Sequence, residues 1–254
     1  MFRPRVIPVL LLKDNGLVKS KVFKDFRYIG DPINAVKIFN DLRADELVFL
    51  DITASRNKRL VSLELIKNIG EESNMPFAVG GGIKSLEDIR QIISAGAEKV
   101  IIGSQAIENP NFIKEAADTF GSSTIAVCMD VKKKLFGKEQ VWTLNGSKPS
   151  GYYPIDFAKL MEEKGAGELI VQSIEKDGLM TGYDIQLIKS ISMSVSIPVV
   201  ALGGAGKIEH FQQAYTEGYA NGLAAGSMFV YQGPKQGVLI NYPDKGELQI
   251  IKVI

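Results

Sequence analysis

Two glycine-rich stretches of this chain carry the residue types that hold an anion with backbone groups. The first is Gly80-Gly81-Gly82, followed later by Gly103-Ser104; the second is Gly203-Gly204-Ala205-Gly206, followed by Gly226-Ser227. Glycine lets the backbone approach a ligand closely, and the N-terminus of a following helix favours negative charge. Gly80 to Gly203 and Ser104 to Ser227 are the same step of 123 residues. A pattern repeated half a chain apart implies a ligand with two phosphates, or one anionic at both ends. Tight strand-to-helix turns need glycine as well, and for one copy alone that reading is equally good. The carboxylates Asp14, Asp51, Asp130, Asp177 and Asp184 also follow apolar runs, and general acid–base work is their natural chemistry. Asp177 precedes Gly178, so it takes a proton or a substrate hydroxyl, or simply forms an Asp-Gly turn.

The elements that would position these groups alternate between strand and helix. Apolar strand patterns fall at Val6–Leu12, Leu47–Ile52, Phe77–Val79, Val100–Ile102, Thr124–Val131, Leu169–Ser173, Val199–Leu202 and Leu223–Ala225. Amphipathic helix patterns lie between them, beginning with Pro32–Leu42 behind the N-cap Asp31, and Val141–Leu144 is an excursion. Eight short buried strands with intervening helices and no linker predict an α/β fold, a (β/α)8 barrel with a half-barrel internal repeat. The expected organisation is one domain over 1–254, with half-barrels of about 1–122 and 123–230 and a tail over 231–254. A doubly wound sheet is the alternative, but its glycine fingerprint belongs after the first strand, where none stands. In a barrel, ligands sit at the C-terminal strand ends, which makes Asp51, Gly81, Gly82, Gly103, Ser104, Gly203, Gly204, Gly226 and Ser227 the candidate binding residues.

The opposite ends of the strands carry alternating charges: Arg5, Glu46, Lys99 and Glu168 precede the first, second, fourth and sixth strands. Four such residues pair into a neutral ring across the barrel floor, or stand as separate solvated charges at helix–strand junctions.

Composition narrows the function. The 254 residues are 45% hydrophobic, enough for a large core, and the net charge of +1 argues against nucleic acid or an acidic membrane as partner. No apolar run is long enough to span a bilayer, and the N-terminus lacks a signal peptide's apolar stretch, so a cytoplasmic location is expected. One Cys and one His exclude an internal disulfide and disfavour a zinc site; no metal or cofactor is implied. His210 reads as a capping or solvated residue, Cys128 as a small core residue on the face of Asp130, and Trp142 as packing over the barrel mouth. The Lys-rich segment from Lys13 to Arg27 is either a lid over a phosphorylated ligand or a solvated loop.

The runs RVIPVLLLKD, DELVFLDITAS, PFAVGGGI, VCMDVK, GAGELIVQSIEKDG, GYD and GGAGKIEHF together resemble the cyclase subunit of imidazole glycerol phosphate synthase, over roughly Arg5–Phe229. The resemblance implies a barrel that takes ammonia from a glutaminase subunit docked on its floor, past a charged gate and up to a phosphoribosyl-type substrate. Arg5, Glu46, Lys99 and Glu168 match the gate positions. Asp130 matches one of the family's two catalytic carboxylates, and the other falls on Leu11. The family has asparagine where Gly103 stands and serine where Leu202 stands. A leucine cannot move a proton, and losing such a group lowers rates by about 10²–10⁴.

The tail VYQGPKQGVLINYPDKGELQIIKVI replaces the family's charged last helix. Its QGVLINYP segment resembles a paralogous branch from surface-polysaccharide pathways, in which a barrel, a glutaminase and an N-acetyl sugar amidotransferase convert an acetamido group to an acetamidino group. This resemblance implies a phosphorylated or nucleotide-linked substrate, with Asp130 and Asp177 as the groups handling protons. The alternatives are a true histidine-pathway cyclase, or a non-catalytic conduit that conducts ammonia to a partner. As an interface or as a plain cover, the tail is expected to lie over the barrel.

Overall fold

The structure, a computed structural model, describes residues 3–14, 16–134, 137–233 and 235–251. Expectations that fall on Met1, Phe2, Asn15, Leu135, Phe136, Pro234 and 252–254 lie outside the described residues.

Eight strands form the barrel: β1 Arg5–Lys13, β2 Leu47–Asp51, β3 Phe77–Gly80, β4 Lys99–Ile102, β5 Ile125–Lys133, β6 Glu168–Ser173, β7 Val199–Leu202 and β8 Gly222–Ala225. All neighbours are parallel, from Val9 opposite Val48 round to Gln172 opposite Asp130, and the β8–β1 pairing of Ile7 with Ala224 completes the ring. A parallel sheet needs a crossover between strands, and helices supply it, such as Pro32–Asp41 after β1 and Leu86–Ser94 after β3. Ser85 and Asp88 close a capping box at the start of the second of these.

Strand alternation divides the core in two. Side chains such as Leu10, Phe49, Val127 and Leu169 pack outward against the helices. Ile7, Val9, Val48, Ala78, Ile101, Ala126, Ile170 and Val200 fill the barrel interior, with Leu11, Leu50 and Cys128 packed above them. Period-two alternation therefore makes one inward column of Arg5, Ile7, Val9 and Leu11, and others of Glu46, Val48 and Leu50 and of Glu168, Ile170 and Gln172. Each column runs from the charged floor to the mouth.

Two departures from the expected elements matter. The Lys-rich segment after β1 is an antiparallel hairpin, Gly16–Lys21 with Lys24–Gly30, whose first strand continues the sheet by pairing Val18 with Leu11. Its hydrophobic signal is weak because Leu17, Val18, Lys19 and Ser20 are all buried whatever their polarity. Among the described residues after β8 no full helix forms. The chain makes a short turn at Ser227–Phe229, a two-stranded hairpin and a four-residue helix, Lys245–Leu248. Tyr242, Leu248 and Ile251 are buried, so this segment covers the barrel in the helix's place.

Candidate active site

At the floor, the four alternating charges meet. Arg5 forks between Glu46 and Glu168, while Lys99 Nζ lies 3.4 Å from Glu46 Oε1 and 3.3 Å from Glu168 Oε2. Burial alone would lower the Arg5 pKa, but the Glu168 and Glu46 carboxylates outweigh it and the guanidinium is held more firmly charged. Two positive and two negative groups thus close a neutral ring. Above it lies a small apolar cavity of about 10 Å³, bounded below by Glu46 and Glu168 and above by Leu50 and Leu202.

At the mouth, the main pocket has a volume of about 890 Å³, counting the part open to solvent. It gathers Asp51, Gly81, Gly82, Gly103, Ser104 and Asp130 from the candidate residues. Leu11, Cys128, Gln172, Asn145, Phe23 and Phe26 line it too. Gly82 has φ +74° and a Cβ there would collide with the Arg59 carbonyl, so this turn admits no other residue. The N–H groups of Gly82 and Ser104 have no protein acceptor among the described residues.

Asp51 is not a free carboxylate. Its Oδ1 accepts from Thr53 N and Oγ1 and from Ala54 N, and its Oδ2 accepts from Arg59 at 2.7 Å. Asp130 differs: among the described residues its one side-chain hydrogen-bond partner is the Cys128 thiol, with Sγ 3.9 Å from Oδ1. Burial, and then the nearby charge of Asp177, push the Asp130 pKa up to about 7, into the range useful for moving a proton at neutral pH. Leu11 lines the same pocket, where it presents only methyl groups.

A second, smaller cavity of about 30 Å³ is lined by Gly203, Gly204, Gly226 and Ser227 together with Asp177 and Lys19. Gly204, at φ +109°, packs so closely on the Gly182 carbonyl that a side chain has no space. The sequence offers Asp177 as a group for a proton or a substrate hydroxyl, or as part of an Asp-Gly turn; in the structure both its oxygens accept hydrogen bonds. Oδ2 accepts from Ser20 Oγ at 2.7 Å and Phe23 N at 3.3 Å, Oδ1 accepts from Gln172 at 3.3 Å, and the Asp177 carbonyl accepts from Val22 N at 2.9 Å. Asp177 is a latch for the hairpin. Burial raises its pKa, partly offset by these donors.

Other candidates take structural roles. Asp184 caps a helix by accepting from Leu187 N at 3.1 Å, and Asp14 is exposed. His210 Nδ1 accepts from Gly206 N at 3.1 Å, a capping contact. The Trp142 ring packs with Lys132, and its N–H donates to the Lys132 carbonyl.

The sequence reading missed Lys19, Gln172, Asn145, Phe23 and Phe26. Lys19 is 4% exposed, and its Nζ donates to the Val9 carbonyl beside Gly226. Burial lowers its pKa to about 8. The one available signal was the run Leu17–Ser20, whose two apolar residues sit inside an otherwise polar stretch.

Among the described residues, no cluster of His, Cys, Asp and Glu could hold a metal ion, and no helix is long and apolar enough to cross a membrane.

Comparison with known proteins places this geometry. Residues 5–234 match the family described as histidine biosynthesis protein. The chain is 48% identical over 245 residues, 96% of each chain, to a protein of Leptospira borgpetersenii provisionally named imidazole glycerol phosphate synthase subunit HisF. It is 42% identical over 231 residues to imidazole glycerol phosphate synthase subunit HisF of Alkaliphilus metalliredigens, covering 91% of this chain and 92% of that one. Identity to the subunit of the same name from Methanocaldococcus jannaschii is 41% over 251 residues, again 91% and 92% of the two chains.

Proposed function

The chain belongs to the histidine biosynthesis protein family as a HisF-like cyclase subunit of imidazole glycerol phosphate synthase, and from that premise we propose that it passes ammonia through the barrel to a different acceptor. The acceptor is the acetamido group of a sugar, which becomes an acetamidino group in surface-polysaccharide synthesis. The observation that carries this reading is Leu11. It stands at the top of the inward column that begins at Arg5, in the same pocket as Asp130, where cyclisation needs a second proton-handling group.

The floor supports an ammonia supply. A glutaminase docked there releases ammonia beside the Arg5–Glu46–Lys99–Glu168 ring, which acts as the gate. A neutral ring holds no net charge to trap ammonium, and the apolar cavity above it favours uncharged NH₃ over NH₄⁺. Above Leu50 the ammonia meets the main pocket, where Asp130 accepts a proton as nitrogen adds to carbon.

Converting an amide to an amidine expels water, and the amide oxygen needs activation before it leaves. Among the described residues the pocket offers no group that activates it, so an N-acetyl sugar amidotransferase partner first activates the amide oxygen with a phosphoryl or nucleotidyl donor; ammonia then adds to the carbon and the activated oxygen leaves with its new group.

The test supplies the purified chain with excess ammonium and the phosphoribosyl intermediate of histidine synthesis. Ammonium removes the need for a glutaminase, so only the barrel's chemistry is read. The expected result is no cyclisation. Turnover at the level of a histidine-pathway cyclase would overturn the proposal and mean that another group replaces the missing carboxylate.

A further inference from the structure

Gln172 stands at the boundary between the path from the floor and the pocket at the mouth. Its strand carries Glu168 in the charged ring, then Ile170 facing the apolar cavity, then Gln172 above them. On one side it is in register with Leu202, which bounds the top of that cavity. On the other side it is in register with Asp130, and adjacent strands lie only about 4.8 Å apart. Together with Leu11 and Ser20 it lines both cavities at the mouth. Nearby inward residues offer less: Leu11, Leu50 and Leu202 end in methyl groups, and the Cys128 thiol already pairs with Asp130.

The amide of Gln172 is only half used. Its Nε2 donates to Asp177 Oδ1 at 3.3 Å, which fixes how the side-chain plane is turned. A carboxylate accepts, so the amide oxygen is the end left over. That Oε1 accepts no hydrogen bond from any described residue, although Gln172 is only 6% exposed. Nor is it sealed in the core, for the sealed and partnerless side-chain atoms among the described residues are Thr143 Oγ1 and Ser192 Oγ. A carbonyl held in one orientation, open to the pocket and lacking a donor, suits a small N–H or O–H group.

Ammonia has three N–H donors and one lone pair, and attack requires the lone pair to face the carbon. A neutral carbonyl favours the ammonium cation far less than a second carboxylate would. We propose that Gln172 is the positioning residue for ammonia: its carbonyl and the Asp130 carboxylate each accept one N–H, which leaves the lone pair facing the acceptor in the main pocket. As the lone pair forms the new carbon–nitrogen bond, one proton passes to Asp130, and Gln172 takes none. The assignment rests on the reading that ammonia rises through the barrel, and it holds whichever acceptor receives it.

Ammonia itself is the probe, followed by NMR on the intact chain with isotope-labelled glutamine side chains. Ammonium chloride is added at about pH 9.5, where much of it is free ammonia, and at about pH 6, where nearly all is the cation. Sodium chloride is the salt control. Gln172→Met identifies the Gln172 side-chain resonance by its loss, and Gln172→Asn serves the same purpose should that variant fail to fold. At the higher pH the Gln172 resonance should shift and saturate with ammonia while the other glutamines stay in place. At the lower pH, and with sodium chloride, it should not move. Asp130→Ala should raise the half-saturating ammonia concentration about tenfold, the scale of one charge-assisted hydrogen bond. A resonance blind to ammonia up to about 0.5 M, or one that moves equally with the cation or the control salt, would reduce Gln172 to a support for Asp177 and overturn the assignment. An Asp130→Ala titration matching that of the unaltered chain would overturn it as well. The titration uses neither acceptor nor partner, so cyclisation of the histidine-pathway intermediate, which sinks the wider functional reading, leaves it untouched.

Discussion

The Tyr242 hydroxyl donates to the Val6 carbonyl at 3.0 Å and accepts the Asp45 N–H at 3.2 Å. One side chain from the end of the chain thus binds the residues next to Arg5 and Glu46. The tail in effect braces the charged floor. Asp45 adds to the brace, because its carboxylate accepts from Val6 N at 2.9 Å and takes a two-pronged contact from Arg3 at 2.6 and 2.7 Å. Burial raises the Tyr242 pKa, so the hydroxyl stays a donor. Tyr242→Phe leaves a partly buried N–H and a buried carbonyl without their partner and should destabilise the fold by about 1–2 kcal/mol in urea denaturation. A loss below a few tenths would mean that the tail rests on the barrel only through apolar contact.

The floor ring makes a prediction about coupling. Arg5→Ala removes a charge that touches both Glu46 and Glu168. With a glutaminase partner present, glutamine hydrolysed per product formed should rise several-fold, while ammonium-driven product formation should change little. An equal fall in both activities would assign the ring a purely structural role.

Asp130 should show its unusual titration in two ways. Its pKa in the fold is about 7, against 3.8 as the ordinary value, so the folded state binds the proton more tightly than the unfolded state. That contribution to stability is complete below about pH 4 and is lost as pH rises through about 7. Asp130→Asn should therefore stabilise the protein at pH 8 by roughly 1–2 kcal/mol relative to its effect at pH 5, as pocket water screens part of the full linkage value. Ammonia-dependent activity should rise with pH through about 7 and vanish in the variant. Retained activity in Asp130→Asn would place the proton acceptor on a partner.

Restoring the missing carboxylate is a direct test of Leu11. Leu11→Asp puts a second acid into the pocket that holds Asp130, and the apolar neighbours should make it cost about 2–4 kcal/mol of stability. If cyclisation is absent for want of this group alone, the variant should gain measurable turnover of the histidine-pathway intermediate with ammonium. No gain in a folded variant would locate the block elsewhere in the pocket, with Gly103 and Leu202 the next substitutions.

The latch at Asp177 predicts a local effect. Asp177→Ala removes the acceptor of Phe23 N and Ser20 Oγ but keeps the backbone bond from Val22 N. Amide exchange at Phe23 should quicken by about tenfold or more while the barrel strands stay protected. Unchanged exchange together with lost activity would return Asp177 to a role in proton transfer.

The barrel itself was readable in the sequence because a buried parallel strand has to be apolar along its length. Short runs such as VVAL and KVII between amphipathic helices have few other homes. The strand count, the glycine turns and the inward position of Cys128 with Asp130 follow from local pattern. The hairpin after β1 was not readable, since Lys19 and Ser20 are buried by contacts with Val9 on the neighbouring strand and with Gly226 and Asp177, both far away in sequence. Nor did local pattern distinguish Asp177 as a latch from Asp177 as an acid, because all its partners but Gln172 come from the hairpin.

The sequence by itself determined the eight strands, the repeat, the alternating charges at the strand starts and the leucine at position 11. These depend on spacing along the chain and on residue type. Tertiary structure alone decided that the four charges close one ring, that Tyr242 ties the tail to the floor, and that the mouth divides at Leu11, Ser20 and Gln172 into one compartment with a bare carboxylate and one with a buried ammonium. These are facts of distance and desolvation between residues on different strands, and both arise only when the barrel closes.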